Sequence, residues 1–200
     1  MRALTIKPSA NEGPSVRELP EPSRRQGELL VEGLLVGVCG TDREIMAGTY
    51  GEAPPGDDYL ILGHEALGRV READAGSPFL PGDHVVGIVR RPDPKPCACC
   101  AAGEWDMCLT GDYTERGIRG AHGYAAERYT LEADFAIKVP GSLGSSLTMN
   151  PRALRYLRIR SSASLALPAV PWKSGSAKTT ASEAGELLTS FRRRSRPAVR

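Results

Sequence analysis

Apolar positions in the first 140 residues come in short blocks, and most blocks end at glycine or proline. Residues 3–7 (ALTIK) form a brief predicted strand, followed by a Pro/Gly/Arg-rich stretch to Gly27. Residues 28–38, ELLVEGLLVGV, are rich in leucine and valine with only partial alternation, which predicts a strand buried on both faces. Gly40 and Thr41-Asp42 break it, and residues 43–46 are the best place for a short helix. Residues 60–62 lead into Gly63-His64-Glu65, and Pro81-Gly82-Asp83 reads as a turn before a strand over residues 84–89. Strand-like texture resumes over residues 120–129 and ends near Lys138-Val139-Pro140. Many short strands joined by Gly/Pro loops predict a mainly β, mostly antiparallel barrel or sandwich with short helices.

At 200 residues the chain allows one ordinary domain, or one domain with an appendage. With 40% hydrophobic and 25% charged residues it is neither collagen-like nor wholly disordered. No apolar stretch would span a bilayer, and the start MRALTIKPSANEGP lacks the apolar run of a secretion signal. A cytoplasmic protein without a membrane partner is the expectation.

Charge changes this picture, because the net +2 conceals two unlike segments. Residues 1–140 carry 15 Lys/Arg against 22 Asp/Glu, whereas residues 141–200 carry 11 against 2. The second segment also has no Cys or His, and eleven Ser. The expected boundary is therefore near Pro140–Gly141.

Candidate chemistry sits before that boundary. Cys39, His64 and Glu65 stand at predicted strand-to-turn junctions beside glycine. Singly, each suits a structural role. Together they offer zinc a sulfur, nitrogen and oxygen set, and a catalytic zinc keeps one position open for water or substrate. Four of the five cysteines, Cys97, Cys99, Cys100 and Cys108, cluster in PKPCACCAAGEWDMC. Such spacing suits a structural zinc or an inert cysteine-rich loop in a reducing compartment better than a disulfide framework. Cys99 is the weak member, because adjacent side chains do not naturally face one ion.

The strings VCGTD at 38–42, LGHEALG at 62–68, PGDHV at 81–85 and the cysteine lobe together resemble the N-terminal GroES-like catalytic domain of zinc-dependent medium-chain dehydrogenases. GDYTERGIRGAHGYAAE at 111–127 resembles the glucose 1-dehydrogenase branch of that family. The resemblance implies a GroES-like, partly open β-barrel over residues 1–140, followed by an irregular or disordered basic tail over 141–200. It implies zinc held by Cys39, His64 and Glu65, a proton-relaying hydroxyl at Thr41, and sugar hydroxyls bound at Glu115. The implied activity is oxidation of an aldose at its first carbon to the lactone, with NAD(P) as acceptor. Two other readings are a different zinc polyol or alcohol dehydrogenase, and a non-catalytic GroES-like metal-binding module.

The chain also departs from that pattern. Glu44 stands where alcohol-dehydrogenase relatives carry a relay histidine, and Pro94 stands where the structural zinc lobe has its first cysteine, leaving Cys99 or Asp93 as substitutes. No G-x-G-x-x-G turn occurs, so no dinucleotide-binding domain is expected in this chain, and residues 141–160 hold no acidic residue. An out-of-frame origin for the tail would explain the abrupt change. FRRRSR alone does not make nucleic acid the expected partner. A small sugar is, and no oligomer is predicted.

Overall fold

The computed structural model describes residues 1–8, 10, 12–141 and 156–158. Three open sheets carry the chain. In the first, β1 (Arg2–Ile6) lies between β2 (Ser15–Glu18) and β4 (Leu60–Ile61), both antiparallel to it. The largest runs in the order β10 (Arg128–Glu132), β3 (Glu28–Gly37), β5 (Ala66–Glu72), β6 (His84–Gly87), β11 (Ala136–Lys138). The third joins β7 (Arg90–Arg91), β8 (Thr114–Arg116) and β9 (Gly120–Ala121), with β8 and β9 parallel. Among the described residues there are also two short helices, α1 (Gly40–Met46) and α2 (Ala98–Ala101), and two 3₁₀ turns. The expected mainly antiparallel, partly open β architecture is what the chain adopts. Among the described residues no helix is long and apolar enough to cross a membrane.

The ten-residue β3 is the spine. Its first half alternates, sending Leu29 and Val31 into a core with Val70, Phe79, Val85, Tyr124, Tyr129 and Leu131. Each such aliphatic side chain, once removed from water, contributes about 1.5–3 kcal/mol. An irregularity in the β3–β5 register between Gly33 and Leu35 then re-aims the strand. Val36 consequently enters a second core with Ile6, Ile45, Leu60, Leu62, Ile118 and Ala125. This corrects the expectation of burial on both faces. Partial alternation in the sequence reflects a strand that serves two cores, with Leu30, Glu32 and Leu34 only half-buried.

Two other expected strands are shorter than their sequence texture. Residues 120–129 hold only β9 and the first residues of β10, and Gly123 between them closes against the Leu62 and Gly63 carbonyls. Residues 84–89 stop at Gly87. In the basic segment, the backbone of β12 (Tyr156–Arg158) pairs antiparallel with Leu35–Gly37 of β3, on the edge that β10 leaves free. The irregular basic tail expected over residues 141–200 otherwise falls on residues 142–155 and 159–200, outside the described residues.

Candidate active site

Cys39 is delivered by the end of β3. Its amide donates to Asp42 Oδ2 at 2.8 Å, which fixes the step from extended strand into α1. His64 and Glu65 arrive on the loop between β4 and β5. That loop is seated through Gly63, whose φ of +90° is the left-handed region. The Gly63 carbonyl accepts from the Tyr124 amide at 2.9 Å. It lies so near Gly117 and Gly123 that a Cβ at either would stand 2.3 Å from it. Glu65 is fitted the same way: Gly37 donates to its carbonyl at 2.7 Å, and a Cβ on Gly37 would fall 2.3 Å from Glu65 Oε2.

The outcome is a three-donor cluster. Cys39 Sγ and His64 Nε2 are 3.2 Å apart, and these two and a Glu65 carboxylate oxygen all lie within 4.8 Å of one another. Sulfur and nitrogen ligands on one tetrahedral zinc stand about 3.6 Å apart, so the spacing fits such an ion. His64 is 9% exposed and Glu65 is exposed, so the cluster is closed behind and open in front. The His64 Nδ1 atom is buried with no hydrogen-bond partner, and Asp42 Oδ1 faces it at 3.6 Å. A carboxylate there favours the proton on Nδ1 and leaves the Nε2 lone pair for a metal. Asp42 therefore supports two donors at once. Sequence reading passed over it, although it is the last letter of the VCGTD string.

Thr41 is half-buried in the first turn of α1, two residues beyond Cys39, and Glu44 on the same helix is exposed. Glu115 belongs to β8, opposite Arg90 of β7. Arg90 Nε and Nη2 both donate to Glu115 Oε1, at 3.2 and 2.9 Å, and its guanidinium carbon lies 3.9 Å from the centre of the Tyr113 ring. Burial and the nearby Glu115 push the Tyr50 phenol above its usual pKa. Glu115 is thus a held carboxylate, and Arg90 is a second residue the sequence reading did not single out. Its visible signal was the arginine doublet ahead of the cysteines.

The cysteine lobe is built locally. Cys97 caps α2, and one helical turn brings Cys100 to the same face. A 3₁₀ turn over Trp105–Met107 returns Cys108 to them. The sulfurs of Cys97, Cys100 and Cys108 lie within 4.8 Å of one another. Cys99 is not among these three donors, whereas its neighbour Cys100 is. Asp93 is 5% exposed and engaged elsewhere, accepting from Thr110 Oγ1 and the Lys95 amide, each at 2.7 Å. Among the described residues the lobe therefore gathers three donors and no fourth. The Leu109 amide lowers the Cys97 thiol pKa to about 6, helped by the Cys100 amide, while burial raises Cys100 to about 11. The Thr110 hydroxyl lowers that of Cys108.

Residues 25–141 match the family model described as alcohol dehydrogenase GroES-like domain. Over 144 residues the chain is 49% identical to a glucose 1-dehydrogenase of Methanocella arvoryzae, covering 72% of this chain and 40% of that protein. It is 48% identical to a glucose 1-dehydrogenase of Thermoproteus tenax, again over 72% of this chain and 40% of the relative. The chain thus spans about 40% of the length of these curated relatives. A Haloferax mediterranei glucose dehydrogenase, solved with NADP, Zn and gluconolactone, superposes with a TM-score of 0.66 at 40% identity, over 73% of this chain and 41% of that one.

Proposed function

The chain belongs to the alcohol dehydrogenase GroES-like domain family, and from that premise we propose that it is the zinc-holding catalytic part of an NAD(P)-dependent aldose 1-dehydrogenase. One observation carries the reading: Cys39, His64 and Glu65 meet as a sulfur, nitrogen and oxygen cluster. In the Haloferax mediterranei protein, zinc, NADP and gluconolactone are bound together.

In this reading Cys39, His64 and Glu65 hold the zinc, and the exposed side at Glu65 admits the sugar. Zinc held there would supply positive charge to the anomeric oxygen, and a nicotinamide would supply the acceptor for the hydride that leaves the anomeric carbon. The chain's own groups do the rest. Asp42 keeps the His64 ring in the ligating tautomer. Thr41 hydrogen-bonds the anomeric hydroxyl and, as it accepts that proton, passes its own on to solvent water. That relay does not run through the residue after Arg43, because Glu44 replaces the histidine of alcohol-oxidising relatives. Glu115 accepts hydrogen bonds from sugar hydroxyls, and a carboxylate suits a polyol because it binds neighbouring hydroxyls at once. The product is the lactone. Cys97, Cys100 and Cys108 form a separate structural zinc lobe within a catalytic domain of residues 1–140. Residues 141–200 are assigned as a basic tail, and the protein as cytoplasmic.

Metal analysis tests the reading. The purified chain is expected to carry zinc, and Cys39→Ala is expected to remove one portion of it while leaving the lobe's portion. After replacement by Co²⁺, the sulfur-to-cobalt absorption assigned to Cys39 disappears in the variant. Equal metal content and equal spectra in both proteins would refute the catalytic zinc.

A further inference from the structure

We propose that Arg90 is a positioning residue that couples Glu115 to the cysteine lobe, so that the lobe sets where the sugar-facing carboxylate stands. The inference deepens the function proposed above and rests on its reading of Glu115.

One guanidinium uses both of its edges. On one edge, Nε and Nη2 donate to Glu115 Oε1. On the other, Nη1 donates to the carbonyl oxygens of Trp105 at 3.3 Å and Asp106 at 3.4 Å. Those carbonyls belong to the 3₁₀ turn that brings Cys108 back to Cys97 and Cys100. The ring of Tyr113 lies against the guanidinium face. Trp105 is itself seated on Phe135, with ring centres 5.1 Å apart, so the lobe turn is anchored to the barrel beside this contact.

Neutralising Glu115 requires only one edge of the fork. Bonds on both edges make the carboxylate and the lobe turn share a single rigid group. The Arg90 and Glu115 side chains are 22% and 12% exposed, so their contact is screened less than a surface pair. Both bonds to the carboxylate fall on Oε1, which leaves Oε2 to meet a sugar hydroxyl. A lysine keeps the charge and cannot span the two partners. Coupling of this kind is reciprocal: whatever loosens Glu115 must loosen the lobe turn through Arg90.

Amide hydrogen exchange across a double-mutant cycle reads that reciprocity without any need for turnover. Met107, Cys108 and Leu109 report on the lobe turn, and Val70 in β5 reports on the barrel. Arg90→Lys is expected to speed exchange at the lobe amides about fivefold, the lower end of ordinary coupling between sites. Glu115→Gln is expected to speed them as well, and the double variant no further than Arg90→Lys alone, with Val70 unchanged throughout. Should Arg90→Lys also loosen Val70, Glu115→Gln decides by itself. Lobe amides unmoved by Glu115→Gln, or effects that multiply in the double variant, overturn the coupling. Gluconolactone added to the zinc-loaded protein is expected to slow the lobe amides in the parent chain and not in Arg90→Lys. Equal slowing in both also overturns it. A parent chain that ignores the lactone counts instead against the sugar-binding reading of Glu115, and the cycle still judges the coupling.

Discussion

Cys39, His64 and Glu65 on one side, and Cys97, Cys100 and Cys108 on the other, are both three-donor clusters within the same 4.8 Å limit. They are built in opposite ways. The first joins a strand end to a loop 25 residues away, and that loop is seated by glycines of a third segment, at Gly117 and Gly123. The second closes within a dozen residues, through one helical turn, one 3₁₀ turn and an amide bond from Leu109 to Cys97 Sγ. A cluster of the first kind is only as good as the packing of the strands and loops that bring its three segments together. The second depends on its own loop and on the few bonds that tie it down.

The contrast is tested most severely at Gly117. Its φ is +75°, and a Cβ there would stand 2.3 Å from the Gly63 carbonyl. Gly117→Ala is expected to cost about 3 kcal/mol in denaturant unfolding, the upper range for inserting an atom into packed backbone. It is also expected to displace His64, so metal at the Cys39 cluster falls away while the lobe keeps its own. Loss of both metals together would show that the two regions are not independent.

Asp42→Asn probes the first cluster more gently. The Cys39 amide keeps an acceptor, but His64 Nδ1 loses its carboxylate. Zinc affinity at this cluster is expected to fall about 10- to 100-fold, the usual effect of removing such a partner. Competition with a chelator measures it, and the lobe's affinity should not move.

The smallest effect concerns the lobe in metal-free protein. Thiols alkylate as thiolates, so Cys97, with a pKa of about 6, is expected to be labelled first at neutral pH and Cys100, at about 11, last. The signs run in opposite directions. The support that ionised Cys97 gives the folded lobe is present above the ordinary thiol pKa and lost as pH falls through about 6. The support from neutral Cys100 is present below the ordinary thiol pKa and lost as pH rises through about 11. Peptide mapping across pH checks the order. Labelling of Cys100 ahead of Cys97 would show that the lobe does not hold these contacts without metal.

Much of this protein was legible in the chain itself. Glycine and proline punctuation marked the short strands. Donor-bearing residues beside glycines named the metal candidates, and motif order named the family. The doubt over Cys99 was also readable, because neighbouring side chains diverge whatever the fold. Spacing of this local kind follows from backbone geometry over a few residues.

Tertiary structure decided what depends on contacts between distant segments. Sequence alone made β3 a strand buried on both faces, whereas a register irregularity turned it from one core to another. It could not show that Gly117 and Gly123 close on Gly63, that Asp42 faces the far nitrogen of His64, or that Arg90 spans Glu115 and the lobe. A short string carries the identity of a side chain and its near neighbours. Which other side chain it meets across the barrel is set by strand pairing and loop packing, and those exist only once the chain has folded.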